Sequence, residues 1–198
     1  MFEPLQYSHK NFIEEKIKKF PSILSDYFFP NLYLYRNYLG TKIHEGTYSL
    51  IETNISSNDN LKVYMPLDLI TPESLLYYKG LVGPSLLYPI SDEGLSLMEV
   101  SSKEYKEADS DYLFTLEKIS FLKGGHLSAK RNLLYRFFDL YEDREVIELA
   151  SHNILLAKEV LEGWSKEHGS DYSNCLEALE MFEELDLYGR LLIIKKNL

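Results

Sequence analysis

The chain has 198 residues, one cysteine and a formal net charge of −10, from 21 Lys+Arg against 31 Asp+Glu. At roughly 150 residues per domain the length fits one large domain or a domain and a half, with a core that needs no disulfide or metal staple. A hydrophobic content of 45% excludes wholesale disorder. The single cysteine excludes an internal disulfide, and no stretch approaches the ~18 apolar residues of a membrane-spanning helix.

Met1–Tyr7 carries neither a basic nor an apolar signal-peptide region, so a cytoplasmic chain is expected. The first predicted helix runs from Ser8, as N-cap, to Phe20, with Phe12, Ile13, Ile17 and Phe20 as its apolar stripe and Pro21 as its stop. A short aromatic helix follows Pro30 and ends at Gly40. Strands are expected near Thr47–Asn54 and Leu61–Leu67, joined by the polar turn Ser56–Asn60. Thr71-Pro72-Glu73 starts a helix, with Thr71 as cap and proline at the first position. Ser85–Ile90 reads as a strand, Ser91 as the start of a short helix, and Tyr112–Glu117 as a further strand.

The second half is more helical. His126–Leu140 follows Gly124-Gly125 and places Leu127, Leu134, Phe137 and Phe138 on an apolar face. Glu145–Leu149 reads as a strand, Ser151–Glu167 and Asp171–Leu185 as helices, and Leu191–Ile194 as a last strand. Cys175 is expected inside as a small hydrophobe, and Gly189 just past a helix end. Short strands interleaved with helices define an α+β fold. The last strand, with nothing after it to pair with, is expected at a sheet edge, where it offers self-association.

Charge is unevenly spread. Tyr141–Asp186 holds 13 acidic and three basic residues, which is the whole excess. Phe121–Phe138 holds no acid and contains Lys123, His126, Lys130, Arg131 and Arg136. The overall acidity argues against general nucleic-acid binding but leaves room for one anionic ligand at this island.

Motifs for dinucleotides, P-loops, nucleophile elbows and zinc are absent: no G-x-G-x-x-G, no G-x-x-x-x-G-K-[ST], no G-x-S-x-G, no H-E-x-x-H. The five histidines do not lie three or four residues apart, and no metal site is expected. What remains is Lys123-Gly124-Gly125-His126-Leu127-Ser128-Ala129-Lys130-Arg131-Asn132. A Gly-Gly turn before a helix start, with cations beside it, has the makings of an anion site. Its plain alternative is a turn with solvated Lys and Arg. Adjacent helical residues lie about 100° apart, so Lys130 and Arg131 point differently. Lys130 is the expected ligand contact, and Arg131 the expected partner of a carboxylate. Lys123, Lys130 and Arg131 are expected at the mouth of a pocket.

This run resembles the phosphatidylglycerol lysyltransferase C-terminal domain family, in its soluble stand-alone branch. That branch has a K-G-x-x-x-H-x-K-R-N-like run after a D-Y-x-Y-like strand. Asp111-Tyr112-Leu113-Phe114 stands before the run, Lys123, Gly124, Lys130, Arg131 and Asn132 match it, His126 fits with an offset of one, and Arg136 and Phe137 continue the helix. Phe29-Pro30-Asn31-Leu32-Tyr33-Leu34-Tyr35-Arg36-Asn37 is similar to the family's F-P-Y-L-Y-L-W-R-D stretch. Trp164, Leu176–Leu179 and Phe182–Leu185 are similar to its W-…-A-L-x-x-F-x-x-L run.

The resemblance implies two tandem acyltransferase-like (GNAT-like) lobes with a mixed, largely antiparallel sheet. The first would span residues 1–140, and 141–198 would be the helical start of a second, truncated one. It implies transfer of an aminoacyl group from an activated ester to a lipid or other amine or hydroxyl acceptor, with aminoacyl-tRNA or acyl-CoA as donor. An anionic small molecule, tRNA or a lipid headgroup would then meet Lys123, Gly124, Gly125, His126, Lys130, Arg131 and Asn132. The acyltransferase pyrophosphate loop, with glycine two residues from glycine, is absent. A non-catalytic binding module that keeps the fold and the basic loop is the alternative.

Overall fold

The structure is a computed structural model that describes residues 1–19, 24–54, 61–98, 112–169 and 171–195. The chain divides into two compact units, Met1–Glu107 and Ala108–Leu198. Within the second unit, the helix that ends at Leu140 is tied to the strand after it. Arg144 Nη1 donates to the Phe138 carbonyl at 3.1 Å and to that of Tyr141 at 2.5 Å, and its guanidinium lies over the Phe138 ring.

The first unit is built on a five-stranded sheet, β1 (Glu3–Pro4), β2 (Lys42–His44), β3 (Leu50–Asn54), β4 (Lys62–Pro66) and β5 (Leu86–Leu87), in that spatial order. The first four pair antiparallel, and β5 joins β4 in parallel, so the sheet is mixed and mostly antiparallel. The expected β3–β4 pair is present, in the register Leu50↔Pro66 to Asn54↔Lys62; the turn Ser56–Asn60 lies outside the described residues.

Side chains alternate across a strand, so register decides each face. Ile43, Ile51 and Met65 align across β2, β3 and β4 and are almost fully buried. Lys42, Glu52 and Tyr64 align on the opposite face. Ile13, Phe29, Leu32, Tyr33 and Tyr78 are buried as well. Each such side chain contributes about 1.5–3 kcal/mol by leaving water.

Helices frame this sheet. α1 is Lys10–Lys19, entered through a 3₁₀ turn at Tyr7–His9. Its capping residue is Gln6, whose amide donates to His9 Nδ1 at 2.9 Å and whose carbonyl accepts from the His9 amide at 3.1 Å. Ser8 therefore sits inside the first turn and is not the cap. Phe20 and Pro21 lie outside the described residues. The aromatic helix is real but split at Tyr35 into α2 (Phe29–Leu34) and α3 (Arg36–Leu39), and Gly40 ends it in the left-handed conformation. α4 (Pro72–Val82) starts as the sequence requires. Thr71 accepts from the Ser74 amide at 3.2 Å, and the Ser74 hydroxyl accepts from the Thr71 amide at 2.8 Å. α5 is Asp92–Ser96, capped by Ser91.

The second unit holds α6 (Leu116–Phe121), α7 (Ser128–Leu140), β6 (Arg144–Glu148), α8 (Ile154–His168), α9 (Ser173–Glu180) and β7 (Arg190–Ile194). Tyr112–Glu117 is not a strand: Thr115 Oγ1 accepts from the Lys118 amide at 3.2 Å and starts α6. β6 and β7 form an antiparallel two-stranded sheet, from Arg144↔Ile194 to Glu148↔Arg190. The last strand thus pairs within its own chain, and among the described residues no third strand flanks it. Gly189 caps no helix; its carbonyl accepts from the Leu149 amide at 2.9 Å and opens β7. Cys175 is exposed. α9 begins at Ser173, and its Leu176 and Leu179 are half-buried.

Candidate functional site

Two short helices and the loop between them carry the basic island. α6 ends at Leu122, which adopts the left-handed conformation (φ 47°), at a cost of roughly 1–2 kcal/mol for a residue with a Cβ. Gly124 follows at φ 107°, a conformation side chains disfavour, so glycine is required there. A 3₁₀ turn at Gly125–Leu127 then leads into α7.

Arg131 holds this loop. Its Nη1 donates to the Leu122 carbonyl and, at 2.8 Å, to the Gly124 carbonyl. The structural role expected for Arg131 is present, but its acceptors are two backbone carbonyls and not a carboxylate. The reason is local. Arg131 lies one turn into α7, on the side that faces the preceding loop, and the carbonyls freed by the turn need donors.

Neither Gly124 nor Leu127, the residues before the 3₁₀ turn and before α7, supplies a side-chain cap. This double helix start thus has no side-chain cap from the residue before either helix, the arrangement in which an anion can take the cap's place. Lys123 lies beside it in an exposed ion pair with Glu117 at 2.6 Å, with its ammonium 5.2 Å from the Phe121 ring centre. Pairs of this kind contribute about 0–1 kcal/mol, so the ammonium is readily released to another anion. Lys130 is exposed and has no hydrogen-bond or ion-pair partner among the described residues. Gly125, His126 and Asn132 are also exposed. The structure thus brings Lys123, Gly124 and Arg131 together in one tied loop and leaves Lys130 outward. Asp111 lies outside the described residues, and Tyr112 stacks on Phe114 at 6.2 Å.

A cleft of about 640 Å³ lies where β6 and β7 close on the turn after α9, lined by Glu148, Phe182, Glu183, Asp186, Tyr188 and Arg190, among others. Asn153 ties the chain just after β6, donating to the Glu148 carbonyl and accepting from the Ala150 amide, both at 2.8 Å.

Sequence reasoning also missed two polar clusters of the first unit. His44 is buried, with Nε2 2.9 Å from the Tyr77 hydroxyl and Nδ1 3.3 Å from the Met1 carbonyl oxygen. Glu52 is buried between Lys62 (3.0 Å), Lys42 (3.5 Å) and the Tyr64 hydroxyl (3.2 Å). Burial alone would raise its carboxyl, but the Lys62 hydrogen bond and charge, the Tyr64 hydroxyl and Lys42 outweigh that and hold it below the usual glutamate value. The only signal for either was strand alternation with polar residues on one face. Among the described residues no group of three or more His, Cys, Asp or Glu could hold a metal. No helix among them is long and apolar enough to cross a membrane.

An α+β chain with a mixed, mostly antiparallel sheet and a clamped basic loop at a helix start is the class that fold and loop define. Residues 77–197 match the family described as phosphatidylglycerol lysyltransferase, C-terminal, and the chain belongs to that family. Among solved structures it is similar to a conserved protein of unknown function from Bacteroides thetaiotaomicron VPI-5482. The identity is 18% and the TM-score 0.77, over 99% of this chain and 72% of that one, a likeness of fold. Among curated proteins none matches.

Proposed function

We propose that the chain is an acyltransferase-like protein, of lysyltransferase or related aminoacyltransferase type, whose two units descend from tandem GNAT-like lobes. Family membership carries the reaction class. The clamped loop supplies what the reaction needs first, a fixed place for a phosphate of the donor or acceptor. In the reaction an amine or hydroxyl of the acceptor attacks the ester carbonyl of an aminoacyl-tRNA. The new amide or ester forms, and the tRNA ribose oxygen leaves with the proton. The protein's task is to position the activated ester and stabilise its oxyanion, work that backbone amides and one or two cations perform without a diagnostic motif.

Lys130, unpartnered and one helical turn into α7, is the ligand contact in this reading; Lys123 is exchangeable between Glu117 and the ligand; Arg131 holds the loop. The absence of a glycine-x-glycine pyrophosphate loop weighs against acyl-CoA and favours aminoacyl-tRNA as donor. The same absence supports the second reading, a binding module without catalysis. Transfer of a radiolabelled aminoacyl group from charged tRNA to lipid or amine acceptors separates the two. Turnover by the natural chain that falls about ten- to a hundredfold in Lys130→Ala supports the enzyme. Ligand binding sensitive to Lys130, with no turnover on any acceptor, supports the module.

A further inference from the structure

β6 and β7 form a sheet of two strands, an arrangement that is marginal in water until a third strand or another element completes it. Its two strands differ in chemistry. β6 carries Arg144, Glu145 and Glu148, the charged guard that keeps an edge from pairing. β7 runs Leu191-Leu192-Ile193-Ile194, with no charge between Arg190 and Lys195. Hydrogen bonds fix which backbone groups of β7 face outward. The Leu149 amide donates to the Gly189 carbonyl at 2.9 Å, and the Lys195 amide to the Asp143 carbonyl at 3.1 Å. Bonded pairs alternate along an antiparallel ladder, so Leu191 and Ile193 turn their amides and carbonyls toward β6. Arg190, Leu192 and Ile194 turn theirs outward, to an edge that no strand among the described residues occupies.

We propose that this edge pairs antiparallel with β7 of a second copy of the chain, about a two-fold axis at Leu192. Three observations commit the edge to that occupant. The register sets Leu192 against the partner's Leu192 and Arg190 against the partner's Ile194, so every outward amide and carbonyl of Arg190, Leu192 and Ile194 is bonded. No like charges then stand opposite one another, because Arg190 meets the partner's Ile194 and Lys195 meets the partner's Gly189. The same register joins exposed apolar side chains. Val146 and Leu192 pair across β6 and β7 and are 59% and 48% exposed, and they run on into the partner's Leu192 and Val146 as one row. A strand of this length buries less than the ~800 Å² per partner of a standard interface, so the dimer is weak and depends on concentration. The pairing does not depend on the transfer reaction and is read without it.

Light scattering and residue-resolved amide hydrogen exchange of the full chain, each over a concentration series, test it. Scattering should pass from monomer to dimer as concentration rises. The amides of Arg190, Leu192 and Ile194 should exchange freely in dilute protein and slow about tenfold once about nine-tenths of the chain is paired, while those of Leu191 and Ile193 are protected throughout. Leu192→Lys and Leu192→Glu each set like charges against one another on the axis and should abolish the dimer. An equimolar mixture of the two variants sets opposite charges there and should recover association in part. Leu155→Lys, on the 68% exposed Leu155 of α8, should leave the dimer intact. A monomer at every concentration, outward amides already protected in that monomer, a dimer that survives Leu192→Lys, or a mixture no more associated than either variant overturns the proposal. So does loss of the dimer in Leu155→Lys, which would move the contact to α8. The exchange series on the natural chain needs no variant, so it decides the matter even where a charged variant fails to fold.

Discussion

Gly46 sits where a side chain has no room. A Cβ there would lie 2.6 Å from the Tyr77 hydroxyl and 2.7 Å from His44 Nε2, the two atoms that bond each other. Gly46→Ala therefore separates a buried histidine from its partner, and urea unfolding should show a loss of about 1–3 kcal/mol. Glu52 gives a pH-dependent counterpart. Its carboxyl is held below the usual glutamate value, so the folded chain binds that proton more weakly than the unfolded chain. Its contribution to stability is complete above about pH 4.3 and is lost as the pH falls through the lower, folded value. Glu52→Gln should lower stability at neutral pH and flatten its decline below about pH 4.3 in the same urea series. An equally steep acid limb in the variant would place the responsible group elsewhere.

At the scale of elements, local chemistry was legible wherever a cap or a breaker stood in the sequence. Thr71-Pro72 starts α4 and Ser91 starts α5, each through its own side chain. Thr71→Ala should cost about 1 kcal/mol, read as a lowered melting temperature by circular dichroism. An unchanged melt would mean that packing alone fixes that end. β2 was missed because three residues, Lys42–His44, are too short to display alternation, and only pairing with β3 makes them a strand. Tyr112–Glu117 was read as a strand from its aromatic and apolar residues, whereas Thr115, whose hydroxyl accepts from the Lys118 amide, starts a helix there. Cys175 was placed inside on a stripe with Leu179 and Phe182; it is exposed, whereas Leu176 and Leu179 are half-buried. In the basic loop, the Gly-Gly turn and the helix start were legible. The clamp was not, because an arginine that bonds carbonyls leaves no trace in charge spacing.

For the whole molecule, the family match begins inside α4 and runs through the second unit, so it crosses the division between residues 107 and 108. The family match therefore covers parts of both units, while the proposed anion grip belongs to one loop of the second unit. Net charge sharpens the contrast. The excess negative charge lies in Tyr141–Asp186, so the proposed reading draws affinity for a polyanion from few contacts and predicts only a weak dependence on salt. Equilibrium binding of tRNA at low salt, with the natural chain, Lys130→Ala and a distant control such as Lys158→Ala, tests the claim most directly. Lys158 serves as the control because it already pairs with Glu180 at 2.9 Å. The proposed grip predicts an affinity lowered ten- to a hundredfold by Lys130→Ala and unaltered by Lys158→Ala; equal affinity for all three proteins would contradict it.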